Sequence, residues 1–67
     1  MKAIKTRLDK LRRSIAVETN IKGMVPCHVL AERLGVGVGA VYAWYRKERD
    51  ISYTNQMKIV KLEGEFS

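Results

Sequence analysis

Apolar residues along this chain recur at helical spacing in segments separated by short polar or glycine-containing breaks. Ile4, Leu8, Leu11 and Ile15 lie at intervals of four, three and four, which puts them on one face of a helix from residue 2 to about 18. Residues 20–25 read as a connection, with Gly23 ending or turning the preceding segment. Pro26 fits the first turn of a second helix, where the N–H it lacks would have no partner. That helix is predicted to run to Leu34 and to be stopped by Gly35. A third is predicted from Gly37 or Val38 to about Arg49. Asp50-Ile51-Ser52 breaks the pattern, and Ser52 can cap a last helix over 53–62. Tyr53, Met57 and Val60 share one face of it, at spacings of four and three. Gly64 is expected to end that helix, and Phe66 to fold back onto the core. A strand is the alternative for this last segment, because Ile59 and Val60 are β-branched. Each face of that strand would mix apolar residues with lysine, so the helix is preferred. The expected fold is all-α: one small domain of about four helices over residues 1–67.

The segment from Pro26 to Lys47 organises the rest. Ala31 is small, so a second helix can cross close to it. Gly35, four residues on, can take the positive φ that a tight turn between helices needs. Leu30, Leu34, Val36, Val41 and Trp44 are placed to seal the crossing. This is the spacing of a helix-turn-helix, whose second helix enters the major groove of DNA, with its core over residues 26–49.

Leu34-Gly35-Val36 followed by Gly39-Ala40-Val41-Tyr42-Ala43-Trp44 resembles the turn and recognition helix of the small phage and prophage repressors of Cro-like type. The resemblance implies a sequence-specific regulator of double-stranded DNA, acting as a dimeric repressor in the cytoplasm of a bacterial host. The chain departs from the family where a serine or threonine usually caps the recognition helix and a glutamine often follows. Gly37 and Val38 stand there instead. Glycine caps a helix only a few tenths of a kcal/mol less well than serine, whereas Gly39 in the first turn costs roughly 1 kcal/mol against alanine.

Charge supports a polyanionic partner. Thirteen lysines and arginines against seven carboxylates leave a net charge of +6, the footprint of a nucleic-acid binder. Lys2, Lys5, Arg7, Lys10, Arg12 and Arg13 crowd the first helix around its apolar stripe. They form either a solvated face or a phosphate-contacting surface, while the stripe faces the core or its copy in a dimer. On the recognition helix, Val41, Trp44 and Tyr45 are expected to face inward, and Val38, Gly39, Tyr42, Ala43 and Arg46 outward. Arg46 can bind guanine bidentately or hold a phosphate. Lys47 and Arg49 suit phosphate, Val38 and Ala43 a thymine methyl, and Tyr42 sugar and phosphate. Gly37 and Gly39 allow close backbone approach, and His28 lies at a helix start that can meet phosphate. So few hydrogen-bonding groups make this helix a weak direct reader, leaving part of any specificity to DNA shape. Two copies on adjacent half-sites would double the readout. Ile4, Leu8, Leu11 and Ile15, or the end of the chain around Val60 and Phe66, are the surfaces that could join them.

Other classes fit less well. Cys27 and His28 are adjacent, and helix neighbours point about 100° apart, so they make no nucleophile and base. One cysteine and one histidine cannot complete a four-ligand zinc site. The run Gly35-Val36-Gly37-Val38-Gly39 lacks the spacing and the lysine of a phosphate cradle. No enzymatic activity, cofactor, metal or small-molecule substrate is expected. The lone cysteine suits a reducing compartment. No apolar run reaches the roughly 18 residues of a membrane span, and action at a membrane surface through the basic first helix is disfavoured by the core residues elsewhere. The second reading is a protein-interaction adaptor that keeps the helix-turn-helix as a scaffold.

Overall fold

The computed structural model describes residues 4–48 and 50–67. It contains four helices: α1 (Ile4–Glu18), α2 (Cys27–Leu34), α3 (Val38–Tyr45) and α4 (Tyr53–Glu65). Lys2, counted above with the first helix, lies outside the described residues. Helix α2 packs against α1, α3 and α4, so it forms the middle of the domain. Its Leu30, Ala31 and Leu34 are buried. Around them close Leu8, Leu11, Ile15 and Ala16 of α1, Val25 of the first connection, Val41 and Trp44 of α3, and Ile59 and Leu62 of α4.

The stripe of α1 therefore seals the domain itself. Leu8, Leu11 and Ile15 have essentially no exposed surface and Ile4 packs against the same cluster, so this face is closed to a second subunit. Two of the arginines around it are not simply solvated. Arg7 forms a two-pronged hydrogen-bonded pair with Glu63 of α4, and Arg12 reaches the first connection and α3. Arg33 of α2 meets Glu18 of α1 at 3.0 Å and lies over the ring of Phe66, which folds back onto the core as its sequence position predicts.

Three helices end in the same device. At the end of α1, Asn20 is left-handed, and the Asn20 and Ile21 N–H groups donate to the carbonyls of Val17 and Ala16. At the end of α2, Gly35 is left-handed, with φ of 75°, and the Gly35 and Val36 N–H groups donate to Glu32 and Ala31. At the end of α3, Lys47 is left-handed, with φ of 58°, and the Lys47 and Glu48 N–H groups donate to Trp44 and Ala43. These are Schellman motifs, which satisfy the carbonyls that a helix leaves over and reverse the chain. The third one shortens α3: it stops at Tyr45 rather than near Arg49.

The last segment is a helix, and Ser52 caps it by accepting from the Asn55 N–H. Its inward face is not the one that carries the longer apolar series. Ile59 and Leu62 are buried, whereas Tyr53, Met57 and Val60 stand 76%, 46% and 47% exposed. The helix also runs through Gly64 to Glu65, because Leu62 and Phe66 both pack on the core and hold the intervening turn between them.

The turn between α2 and α3 generates a direct test. A Cβ on Gly35 would meet nothing within 4 Å, so Gly35→Ala isolates the backbone cost of the left-handed conformation. Urea unfolding is expected to show a loss of about 1–2 kcal/mol with an unchanged slope against denaturant.

Candidate nucleic-acid interface

Helix α3 is open at its start and tied down at its end. At its start Gly37 occupies the cap position in extended conformation, with no side chain to bond the free N–H groups. At its end Tyr45 is fixed by charge-assisted hydrogen bonds. The Tyr45 hydroxyl donates to Asp9 Oδ1 at 2.6 Å and accepts from Arg12 Nη1 at 3.2 Å. Arg12 Nε donates to the carbonyl of Val25 at 2.8 Å, and the guanidinium lies over the Tyr45 ring. Sequence reasoning placed Tyr45 inward but missed this network. Its only signal was Asp9 and Arg12, one turn apart on the edge of the α1 stripe.

The electrostatics follow from the contacts. The hydrogen bond from Tyr45 is the main cause of an Asp9 carboxyl held below its ordinary range, with Lys5 and Arg12 adding to it. Burial, then the bond to Asp9, pushes the Tyr45 hydroxyl up to about 12. Glu63 is also held low, chiefly by its hydrogen bonds from Arg7.

The outward set divides. Gly37, Gly39 and Tyr42 are exposed as expected, and nothing lies within 4 Å of a Cβ built on either glycine. Val38 is half-buried and packs against the core, so only part of its surface is free. Ala43 is 4% exposed, which removes it as a base-contacting residue. The chain reverses there, and its carbonyl receives the Glu48 N–H. Arg46 is exposed, and its Nε donates to Glu48 Oε1 at 2.8 Å in a pair more than half exposed on both sides. Lys47 is exposed. His28 is exposed in the first turn of α2. Arg49 lies outside the described residues.

Positive charge is spread more widely than the sequence reading placed it. Among the described residues, Lys5, Arg7, Arg12, Arg33 and Arg46 have carboxylates within 4.0 Å. Lys10 and Arg13 on α1, Lys22 in the first connection, Lys47, and Lys58 and Lys61 on α4 have none. Lys58 instead points at the carbonyl of Gly35, 3.5 Å away, which brings a free cation to the helix-turn-helix corner.

Among the described residues no three histidine, cysteine, aspartate or glutamate side chains group to hold a metal, and no helix is long and apolar enough to cross a membrane. No family model, curated protein or solved structure matches the chain.

The Asp9–Tyr45 contact gives a pH prediction. A carboxyl whose folded pKa is depressed stabilises the fold above its unfolded value and loses that contribution as pH falls through the folded value. For Asp9 and Glu63 the loss is expected below about pH 4. Tyr45→Phe should cost about 1.5–3 kcal/mol at neutral pH, as a hydrogen bond to a charged group does. It should also flatten the acid limb, because Asp9 loses the main cause of its shift. Chemical denaturation of both proteins between pH 7 and pH 2.5 checks this.

Proposed function

We propose that this protein is a double-stranded DNA-binding regulator of the Cro-like helix-turn-helix type, working without cofactor in the cytoplasm of a bacterial host as a pair of copies on adjacent half-sites. Its recognition element is α3, with Gly37, Gly39, Tyr42 and the free part of Val38 against the groove. Lys47, and His28 at the start of α2, meet phosphates. With Ala43 buried and Arg46 paired, the groove-facing surface carries little hydrogen-bonding chemistry. Selectivity then comes from fit and from DNA shape, and affinity from phosphate contacts.

The observation that carries this reading is the backbone of Lys47. A non-glycine residue in the left-handed region is strained by about 1–2 kcal/mol, and strain that persists points to function at that position. Lys47 holds that conformation at the end of the recognition helix, exposed and without a carboxylate partner. The Schellman turn needs a left-handed residue there, and glycine would satisfy it at less cost. Lysine adds a cation where the helix ends.

The adaptor reading draws on two features, the Arg46–Glu48 pair and the exposed apolar residues of α4. It predicts no salt-dependent binding to duplex DNA.

Lys47→Gly separates the two. Relief of left-handed strain, less the greater freedom of glycine in the unfolded chain, should raise stability by roughly 0.5–1 kcal/mol. On DNA the same variant should bind less tightly, with the slope of log K against log salt reduced by about one. Glu48→Ala should act oppositely on DNA: releasing Arg46 raises affinity and steepens the slope. Fluorescence-anisotropy titrations on duplex DNA at several salt concentrations, with urea melts of the same proteins, give both readouts. Binding by the wild type that is flat with salt would favour the adaptor.

A further inference from the structure

Helix α4 presents to solvent a stripe that its sequence marks as a packing face. Tyr53, Met57 and Val60 are spaced by four and three, and Gly64 continues the series by four, the heptad interval of a helix–helix seam. All four are exposed, while Ile59 and Leu62, on the other side of α4, fill the core. No charged residue lies within the stripe.

The order of sizes along the stripe points to an occupant. If a second α4 is laid antiparallel with Met57 opposite Val60 of the other copy, the same register sets Tyr53 opposite Gly64, and both pairs occur twice by symmetry. The largest side chain then meets the position with no side chain, where a Cβ would touch nothing within 4 Å. On the flanks this register brings Lys61 beside Thr54 of the second copy and Gln56 beside Glu63, so no like charges meet directly. Parallel pairing would instead stack Tyr53 on Tyr53 and leave a gap at Gly64.

We propose that this face of α4 joins two copies of the chain as an antiparallel helix pair. In calling for two copies on one DNA site, this rests on the DNA-binding reading above. The available area sets the strength. An aromatic side chain has roughly 150–250 Å² to bury, and three apolar residues fall short of the about 800 Å² per partner in a standard interface. The pair therefore forms weakly in free solution. It becomes populated when DNA holds both copies nearby, at an effective concentration of about millimolar.

The test has one arm without DNA and one with it. Met57→Asp places an unpaired carboxylate in the seam but leaves the core alone, since Met57 is outside it. In sedimentation equilibrium up to millimolar protein, the wild type is expected to self-associate and Met57→Asp to do so about tenfold more weakly or less, with matching circular-dichroism melts showing that the fold is kept. On a random-sequence duplex long enough for two copies, the wild type should bind cooperatively, and Met57→Asp without cooperativity but with an unchanged salt slope. Register is read in a Cys27→Ser background. Oxidative cross-linking should join a Met57→Cys chain to a Val60→Cys chain faster than two Tyr53→Cys chains to each other. Equal sedimentation of wild type and Met57→Asp at every concentration, or faster cross-linking at Tyr53, would overturn the proposal. Absence of DNA binding by both proteins would overturn the DNA reading, while the DNA-free arm still decides the pairing.

Discussion

Arg12 is the side chain on which the placement of α3 depends. Its guanidinium bonds the carbonyl of Val25, where the chain enters α2, and the hydroxyl of Tyr45, where α3 ends. Asp9, one turn back on α1, takes the Tyr45 proton donor. Two segments far apart in the chain are thus fixed to one face of α1 by groups that are themselves only partly exposed. Apolar packing alone leaves short helices free to slide, because burial is nondirectional. Helices of eight residues, as α2 and α3 are, have little packing surface to resist that. A directional contact at the end of α3 sets its rotation, and hence which of its side chains reach outward. Among the described residues no buried side-chain polar atom is left without a partner, so this polar tie is fully compensated.

The chain reversals show a second economy. One motif, built on Asn20, Gly35 and Lys47, ends three helices, and the three residues rank differently in what the left-handed conformation costs. Glycine, the cheapest, stands at the corner where α2 and α3 must approach closely. Asparagine, tolerated there better than most residues, stands at a connection on the surface. Lysine, the costliest, stands at the end of α3, where on the proposed reading its cation meets phosphate.

Most of the architecture was legible because the signals were local. The stripe of α1 has one face to choose, Gly35 has one conformation that makes the turn, and Ser52 precedes an N–H it can accept from. What was misread depended on partners elsewhere in the chain. Helix α4 carries two narrow apolar sets, Tyr53-Met57-Val60 and Ile59-Leu62, and its own periodicity favours the longer. The cleft left by α2 and α1 admits the other, with Glu63 turned to Arg7 and Phe66 to Arg33. The length of α3 was overestimated because helix propensity continues through Arg46 to Arg49, and nothing local marks Lys47 as left-handed. Ala43, expected outward on the longer helix, is buried, and its carbonyl accepts from the Glu48 N–H where the chain reverses. Arg46 was judged by its reach, without the glutamate two residues later that engages it.

These corrections change what kind of binder the domain can be. A recognition helix with a free arginine would join affinity and selectivity in one side chain. Here the arginine is exposed and bonded through Nε to Glu48, and among the described residues the cations without a carboxylate within 4.0 Å stand on α1, in the first connection, on α4 and just past the end of α3. Charge at those places attracts the sugar-phosphate backbone of any duplex and carries no sequence information. On the proposed reading the groove-facing surface, α3 with its cap, is small and mostly uncharged: two glycines, a tyrosine and the edge of a valine. Such a surface discriminates by how closely the backbone can approach, which depends on groove width and deformability more than on the donor and acceptor pattern of single bases. On the proposed reading, affinity and selectivity therefore reside in different parts of the domain. A second copy adds selectivity by fixing the spacing between two such fits, so the seam on α4 would do more for recognition than any one side chain of α3.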